Sequence, residues 1–271
     1  MGFLSFFYRF RPKKIKLGLA LGSGGAKGFA TLGVLRALEE NNLEFDVVGG
    51  TSIGSIIGAA YADGYTSTDI LELLKRVDFT EIKNLFMINM DTTGLFGVID
   101  RTLGGKNIEE LKKPFIAIGT EVETGDEHVF KSGSVATALC ASSSYPPFFK
   151  PVVSNGKRYI DGAFCNSVPA DRVKELGADF ILGVDLSDHQ PKENQSILSK
   201  LIPTYEGKVE EPWAKGYEYS DVMINPDLTG YNSVAFRAGA EMYDIGYRAA
   251  IEKMPEILKI INDLKLGKKK K

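Results

Sequence analysis

Apolar residues recur along the chain in two alternating patterns. Short apolar runs flanked by glycine or polar residues are typical of buried strands, and apolar residues spaced three or four positions apart are typical of helices. The first pattern predicts strands, which lie at 16–21, 45–49, 115–122, 128–131 and 180–184. The second predicts helices, which lie at 29–40, 52–62, 67–77, 135–141, 171–176 and from about 233 past 254. Strands that alternate with helices predict an α/β fold, with a parallel sheet covered by helices on both faces.

The segments between these elements carry weaker signals. Asn155-Gly156 lies between two apolar stretches and predicts a hairpin turn. Apolar residues at 83–105 are interrupted by Asn, Thr and Gly, so this segment is either a mobile flap over an apolar cleft or a poorly patterned part of the core. Residues 188–219 are polar and weakly patterned, which predicts a surface insertion. Because the chain shows no internal repeat and no clean linker, we expect one domain.

The composition is that of a globular protein with an apolar core. Hydrophobic residues make up 44% of the 271 residues and charged residues 25%, which excludes a mainly disordered or collagen-like chain. No apolar run approaches the ~18 residues that a membrane-spanning helix requires. The two cysteines, Cys140 and Cys165, lack metal-site spacing and predict a reducing compartment. We therefore expect a cytoplasmic protein.

Basic residues are concentrated at the two ends of the chain. Residues 1–16 contain five basic and no acidic residues, and so do residues 265–271. Because the net charge of the whole chain is −2, residues 17–264 carry −12, which disfavours nucleic-acid binding. The basic ends favour an anionic membrane surface, and aromatic residues at the N-terminus strengthen this prediction. The alternative is a packed or frayed terminus with solvated charges.

Residues 50–54 read Gly-Thr-Ser-Ile-Gly, a G-x-S-x-G motif between a predicted strand and a predicted helix. On such a sharp turn the hydroxyl of Ser52 is exposed as a nucleophile, and the small residues Gly50 and Gly54 let the backbone bend. The helix directs its partial positive charge toward Ser52, and the N–H of Ile53 is placed to stabilise an oxyanion. The alternative is that Ser52 only caps the helix.

Residues 22–28 read Gly-Ser-Gly-Gly-Ala-Lys-Gly and form a second turn between a strand and a helix. Nucleotide-binding motifs fit badly, because a dinucleotide-binding loop needs glycine where Lys27 stands and a P-loop needs serine or threonine where Gly28 stands. The converging N–H groups of such a turn can bind an anion. Beside a nucleophile, Gly24 and Gly25 are therefore predicted to form an oxyanion hole, with the charge of Lys27 nearby. The alternative is a turn whose glycines only allow close packing.

A serine nucleophile needs a base, and the chain contains two histidines. His189 follows the nucleophile elbow, as we call the G-x-S-x-G turn at residues 50–54, in the order usual for hydrolases. It is surrounded, however, by polar loop residues. His128 lies in a predicted strand and is expected to be structural. Asp161 is the stronger candidate, because it ends a predicted strand and Gly162 permits a tight turn that could hold the carboxylate over Ser52. A dry site raises the pKa of such a carboxyl toward neutrality, and the alternative is an ordinary Asp-Gly turn.

In this order the motifs resemble those of bacterial patatin-like phospholipases, from about residue 16 to about residue 250. The glycine-rich turn is similar to that family's first motif, the elbow to its nucleophile motif and the Asp-Gly-Ala at 161–163 to its D-G-A/G motif. The small residues and prolines at 141–149 are similar to the block before the aspartate. Three ordered motifs are far more specific than any one of them. Two positions depart from the family: Ser23 replaces a common glycine, and Lys27 replaces a frequent arginine, which keeps the charge but loses the bidentate geometry.

The resemblance implies a three-layer α/β/α fold with a mostly parallel sheet. It also implies a dyad without histidine that hydrolyses fatty-acyl esters of phospholipids or lysophospholipids, with no metal and no cofactor. An acyltransferase with the same dyad and a catalytically weak lipid-binding protein of the same fold are the alternatives. The site residues so predicted are Ser52 as nucleophile, Asp161 as general base, Gly24, Gly25 and Ile53 as oxyanion donors, and Gly22, Lys27, Gly28, Gly50, Gly54 and Gly162 in support.

These predictions divide the chain into three parts. We expect a basic and aromatic segment at 1–16, a hydrolase domain at 17–264 and a lysine-rich tail at 265–271. The expected location is the cytoplasm, with attachment to the inner membrane surface through the two basic ends.

Overall fold

Eight strands form one sheet within the residues that the computed structural model describes, which are 14–76, 92–189 and 211–268. The strands are β1 (Leu17–Leu21), β2 (Val47–Thr51), β3 (Phe115–Glu121), β4 (Glu127–Phe130), β5 (Val152–Ser154), β6 (Lys157–Asp161), β7 (Phe180–Val184) and β8 (Val222–Ile224). Their order in the sheet is β5-β6-β3-β2-β1-β7-β8, and β4 pairs with β3. The β3-β2-β1-β7-β8 portion is parallel, whereas β4 and β6 are antiparallel to β3, and β5 is antiparallel to β6.

Helices cover both faces of this sheet. They are α1 (Gly28–Glu40), α2 (Ile53–Ala62), α3 (Ser67–Arg76), α4 (Thr93–Thr102), α5 (Val135–Ser142), α6 (Ala170–Glu175), α7 (Ala214–Tyr219) and α8 (Gly239–Lys265). Along β1, Leu19 and Leu21 belong to the apolar cluster shared with α1, α2, α5 and α8, whereas Ala20 belongs to a cluster shared with Val173 of α6. Because successive strand residues point to opposite faces, the fold has the three layers that the resemblance implies.

The place of β6 in the sheet determines where two chain segments meet. Residues 117–118 of β3 pair with both β2 and β4, and residues 119–120 pair with both β4 and β6. Since a strand has two edges, β2 and β6 share one edge of β3 and follow each other along it. β2 runs parallel to β3 and β6 runs antiparallel, so their carboxyl ends meet. Thr51 and Asp161 consequently pair with successive residues of β3.

Most of the elements predicted from the sequence are confirmed. The strands and the first five predicted helices begin and end within two residues of their predicted limits, whereas α8 begins at Gly239, six residues after the predicted start. The predicted hairpin turn joins β5 to β6. The φ angles at Asn155 (49°) and Gly156 (76°) are both positive, as a two-residue type I′ hairpin turn requires.

Three short elements are not predicted by the sequence pattern. Helix α4 lies within the segment 83–105, where two glycines and two threonines within ten residues weaken the helical signal. Helix α7 and strand β8 lie in or just after the segment 188–219 and have six and three residues, which is too short for a periodic pattern. The rest of the predicted flap and of the predicted surface insertion falls on 77–91 and 190–210, outside the described residues. Within the described ranges, no helix is both long enough and apolar enough to cross a bilayer.

Candidate active site

Ser52 occupies a strained turn between β2 and α2. Its backbone has φ 56° and ψ −127°, a conformation that residues with side chains rarely adopt and that costs about 1–3 kcal/mol. Strain at the junction of a strand and a helix is typical of a nucleophile elbow, because the turn exposes the serine hydroxyl. The Ser52 side chain makes no capping hydrogen bond to α2. The alternative interpretation of Ser52 as a helix cap therefore does not describe this hydroxyl.

The elbow packs directly against the backbone of the glycine-rich turn. A Cβ atom on Gly54 would lie 2.3 Å from the carbonyl oxygen of Leu21 and 2.6 Å from that of Gly22. A Cβ atom on Gly50 would lie 2.3 Å from the carbonyl oxygen of Gly54. No side chain fits at either position unless the backbone moves. Gly54 thus lets the elbow contact the glycine-rich turn, and Gly50 lets the elbow fold tightly on itself.

The hydroxyl of Ser52 donates a hydrogen bond to the carboxylate of Asp161, with 2.6 Å between Oγ and Oδ2. The other carboxylate oxygen, Oδ1, accepts the N–H of Ala163 at 2.8 Å, which fixes the rotation of the carboxylate. The backbone of Asp161 is held as well, because its carbonyl accepts the Thr120 hydroxyl at 2.9 Å and its N–H donates to the Ser144 carbonyl at 3.1 Å. Ser52 and Asp161 are 109 positions apart in the sequence. They come within hydrogen-bond distance because β2 and β6 share one edge of β3.

Burial gives Asp161 the protonation behaviour of a base near neutral pH. Only 1% of the residue is exposed, and this desolvation raises the pKa of its carboxyl to about 7, against the opposing effect of the hydrogen bonds from Ser52 and Ala163. A general base is most effective when its pKa lies near the working pH. The geometry and the pKa together suit transfer of the Ser52 proton to Asp161.

The backbone N–H groups predicted as oxyanion donors lie in the glycine-rich turn and at the start of α2. The N–H groups of Gly22 and Ser23 are engaged by the carbonyl oxygens of Val184 (2.8 Å) and Ser167 (3.0 Å). Among the described residues, the N–H groups of Gly24, Gly25 and Ile53 form no turn or loop hydrogen bond with a backbone carbonyl.

The remaining predicted site residues lie around these donors. Gly28 begins α1 and packs on Ile53, so that a Cβ atom on it would lie 2.4 Å from Ile53 Cγ1. Lys27 precedes Gly28 and is buried, and Gly162 follows Asp161 and packs on the carbonyl of Ile118. The predicted set is thus assembled at the carboxyl ends of β1, β2 and β6, whereas the role of each residue in an oxyanion hole stays a prediction.

Ser142 joins the site although no sequence motif assigns it an individual role. It is the last residue of α5, it is fully buried, and its Oγ accepts the N–H of Ser52 at 2.9 Å. This hydrogen bond pairs the backbone N–H of the strained residue, while the hydroxyl of Ser52 is bonded to Asp161. The signal available in the sequence was the small-residue block at 141–149, but the block alone does not reveal which hydroxyl points at the elbow.

Neither histidine is hydrogen-bonded to the serine or the aspartate. His128 packs against Phe130 and Tyr159, with ring centroids 4.5 and 4.7 Å away, in agreement with the structural role predicted for it. His189 lies beyond β7, where its Nε2 is 2.7 Å from Oδ2 of Asp185. In the part of the chain that the structure describes, no three His, Cys, Asp or Glu side chains are grouped so as to hold a metal ion.

Comparison with known proteins finds similarity over most of the chain. Residues 19–174 match the family model described as patatin-like phospholipase. The chain is 27% identical over 282 residues to patatin-like phospholipase domain-containing protein 6 of Mus musculus, covering 86% of this chain and 20% of that protein. It is 31% identical over 202 residues to lysophospholipase NTE1 of Pyricularia oryzae, covering 68% of this chain and 13% of that protein. The chain therefore spans a fifth or less of the length of these two relatives.

The fold is also similar to a solved structure, that of VipD from Legionella pneumophila. The TM-score is 0.58 and the sequence identity is 15%, and the match covers 90% of this chain and 67% of that chain. At this level of identity the likeness concerns the fold alone.

Proposed function

The chain belongs to the patatin-like phospholipase family, and on this premise we propose that it is a serine acyl hydrolase that releases fatty acids from phospholipids or lysophospholipids. The observation that carries the proposal is the 2.6 Å hydrogen bond from Ser52 Oγ to the buried carboxylate of Asp161. Two relatives are named as a phospholipase domain-containing protein and a lysophospholipase, which favours a lipid ester as substrate.

In the first half of the reaction, Ser52 Oγ attacks the ester carbonyl while Asp161 Oδ2 takes the hydroxyl proton. The negative charge moves to the carbonyl oxygen, where the N–H groups of Gly24, Gly25 and Ile53 would stabilise it, each donor being worth ~3–4 kcal/mol of barrier. Collapse of the tetrahedral intermediate breaks the bond to the alcohol oxygen, and Asp161 returns its proton to that oxygen. The acyl group is then bound as an ester to Ser52.

In the second half, water replaces the alcohol. Asp161 takes a proton from the water as its oxygen attacks the acyl carbonyl, and the same three N–H groups would hold the second oxyanion. The Ser52 oxygen leaves and takes the proton back from Asp161, so the fatty acid is released and both side chains return to their starting states. An alcohol in place of water would give acyl transfer by the same steps.

We expect the purified protein to release fatty acid from lipid esters. The ratio of free fatty acid to acylglycerol distinguishes hydrolysis from acyl transfer. The protein is incubated with phosphatidylcholine vesicles and, in parallel, with lysophosphatidylcholine micelles, with and without added glycerol, and the products are measured by mass spectrometry. Hydrolysis gives free fatty acid whose amount glycerol hardly changes, whereas transfer gives acylglycerol at the expense of fatty acid. Vesicle binding without release of fatty acid from either lipid would contradict the proposal and favour the lipid-binding alternative.

We further propose that the basic ends attach the protein to an anionic membrane surface, with the inner face of the membrane as the site of action. Residues 1–13 and 269–271 lie outside the described residues, so the proposal depends on the sequence, which places five basic and no acidic residues in each of the segments 1–16 and 265–271. Lys16 is better assigned to the fold than to the membrane, because its N–H donates to Asp179 (2.9 Å) and its Nζ donates to the Leu176 carbonyl (2.8 Å).

Removal of residues 1–13 and 269–271 is expected to weaken binding to vesicles that contain phosphatidylserine. Each basic residue near an anionic surface contributes about 1 kcal/mol, so losing six of them should lower the fraction bound by well over tenfold at low salt. Co-sedimentation measures this, with neutral phosphatidylcholine vesicles as a control and a salt titration to screen the charges. Equal sedimentation of the full chain and the truncated chain would disprove attachment through the ends.

A further inference from the structure

The short segment after Asp161 touches all three parts of the proposed catalytic site. Its first turn is closed by the N–H of Asn166, which donates to the Gly162 carbonyl at 2.9 Å. The carbonyl of Asn166 accepts the hydroxyl of Thr51 at 2.8 Å, and Thr51 is the residue before the nucleophile. The carbonyl of Ser167 accepts the N–H of Ser23 in the glycine-rich turn at 3.0 Å. Two consecutive carbonyls of the segment that follows the base therefore bind the elbow and the glycine-rich turn.

This segment is anchored from outside the site by the side chain of Asn166. The side chain is fully buried, and its Nδ2 donates to Oδ1 of Asp171 at 2.7 Å and to Oε1 of Glu127 at 3.2 Å. The two acceptors come from α6 and β4, so the amide joins the segment to two elements of the fold. A carboxamide suits this position because it offers two N–H donors, whereas an aspartate would offer none and would add a third negative charge.

Cations hold the two carboxylates in place. Arg172 Nε lies 2.8 Å from Glu127 Oε1, and Lys215 Nζ lies 3.2 Å from Glu127 Oε2 and 3.3 Å from Asp171 Oδ2. Hydrogen bonding and attraction by these cations lower the pKa of Glu127 despite its burial, so the acceptor of the Asn166 amide stays ionised. Lys215 belongs to α7, which thereby also supports the segment.

We infer that Asn166 is a positioning residue, whose side chain fixes the backbone that aligns Ser52, Asp161 and the glycine-rich turn. The inference rests on the proposed function, because it concerns the alignment of that dyad. Among the described residues, Asn166 forms no hydrogen bond with the side chain of Ser52 or Asp161, so it acts through the carbonyls at 166 and 167. A displacement of about 1 Å among catalytic groups costs on the order of 10²-fold in rate, so loosening this segment should lower kcat and leave KM nearly unchanged.

The experiment compares kcat and KM for a p-nitrophenyl ester in wild type and in five variants. Asn166→Ala is expected to lower kcat about 30-fold with KM within about twofold. Asn166→Asp should lower it further, because three carboxylates then face one another. Adding Asp171→Asn to Asn166→Asp exchanges donor and acceptor between the same two positions and keeps the net charge, so kcat should recover in part. Thr51→Val, which replaces the hydroxyl with a methyl group, should lower kcat about tenfold, and Thr51→Ser, which keeps the hydroxyl, is its matched control.

The outcomes separate positioning from general structural support. Full kcat in Asn166→Ala, or equal kcat in Thr51→Val and Thr51→Ser, would overturn the inference. The Thr51 pair keeps it testable if Asn166→Ala folds poorly, because valine has nearly the shape of threonine. A double variant Thr51→Val/Asn166→Ala should lose less than the sum of the two single effects on the activation free energy, since both act on one segment. Wild-type protein that hydrolyses no ester would refute the proposed function instead.

Discussion

Ser52→Ala is expected to lower kcat/KM for a p-nitrophenyl ester by at least about 10⁴-fold, because the acyl-enzyme can no longer form. Asp161→Asn is expected to lower it about 10²–10⁴-fold, since an amide keeps the shape of the carboxylate but cannot accept the proton. Ester hydrolysis measures both losses. A fluorophosphonate probe distinguishes them, because it should fail to label Ser52→Ala and should label Asp161→Asn slowly.

Two control variants make this result specific. Ser55→Ala removes a hydroxyl three residues away that donates to the Ser52 carbonyl at 2.6 Å, and it should reduce activity only several-fold. His189→Gln tests the histidine alternative, and activity should stay within about threefold of wild type because Asp185 and not Ser52 is the partner of His189. A large loss in His189→Gln, or near-full activity in Asp161→Asn, would show that the base has been misassigned.

The activity should depend on pH through Asp161. Only the carboxylate form can accept the Ser52 proton, and burial raises the pKa of this carboxyl to about 7. We therefore expect kcat/KM to rise about tenfold per pH unit below pH 7 and to level off above it. The profile is measured with an ester whose own hydrolysis is subtracted at each pH. A midpoint near pH 4, the ordinary value for an aspartate, would mean that the site is wetter than the buried geometry implies.

The same raised pKa should lower the free energy of unfolding at neutral and alkaline pH. Between about pH 4 and pH 7 the unfolded chain releases the Asp161 proton while the folded chain retains it, so the free energy of unfolding falls as the pH rises through this window. The shift from 3.8 to about 7 corresponds to about 4 kcal/mol at pH 8. Asp161→Asn should therefore be more stable than wild type, and by a larger margin at pH 8 than at pH 5.

Thermal denaturation at the two pH values tests this stability prediction. The control is Asp126→Asn, which changes an exposed aspartate and should shift the melting temperature little at either pH. Equal melting temperatures for Asp161→Asn and wild type at pH 8 would show that the folded chain does not hold the carboxylate in a dry environment. A variant that loses activity while gaining stability would support a catalytic and not a structural role for Asp161.

Much of the site could be predicted from the sequence because its motifs are local. A G-x-S-x-G between a strand and a helix has a single geometry, so the strained backbone of Ser52 follows from the residues around it. The pairing of Ser52 with Asp161 could be inferred from the poor supply of histidine and from the family resemblance. The short hydrogen bond between them could not be read from spacing, since it depends on two strands meeting on one edge of β3.

Ser142 and Asn166 were missed for a different physical reason. Both act through the backbone: the Ser142 hydroxyl accepts an N–H, and the carbonyl of Asn166 accepts a hydroxyl. Contacts with the backbone leave no pattern of residue types along the chain, because any partner residue supplies the same N–H or C=O. Such residues become visible only when the fold brings the segments together.

Because β2 and β6 meet on one edge of β3, that strand sets the distance between the two reacting side chains. The separation of the nucleophile from its base is set by one peptide repeat of β3, because Thr51 and Asp161 pair with neighbouring positions on it. The long connections from β2 to β3 and from β4 to β5 do not enter this distance. Insertions or deletions within them can therefore reshape the surroundings of the substrate while the proton-transfer distance stays constant.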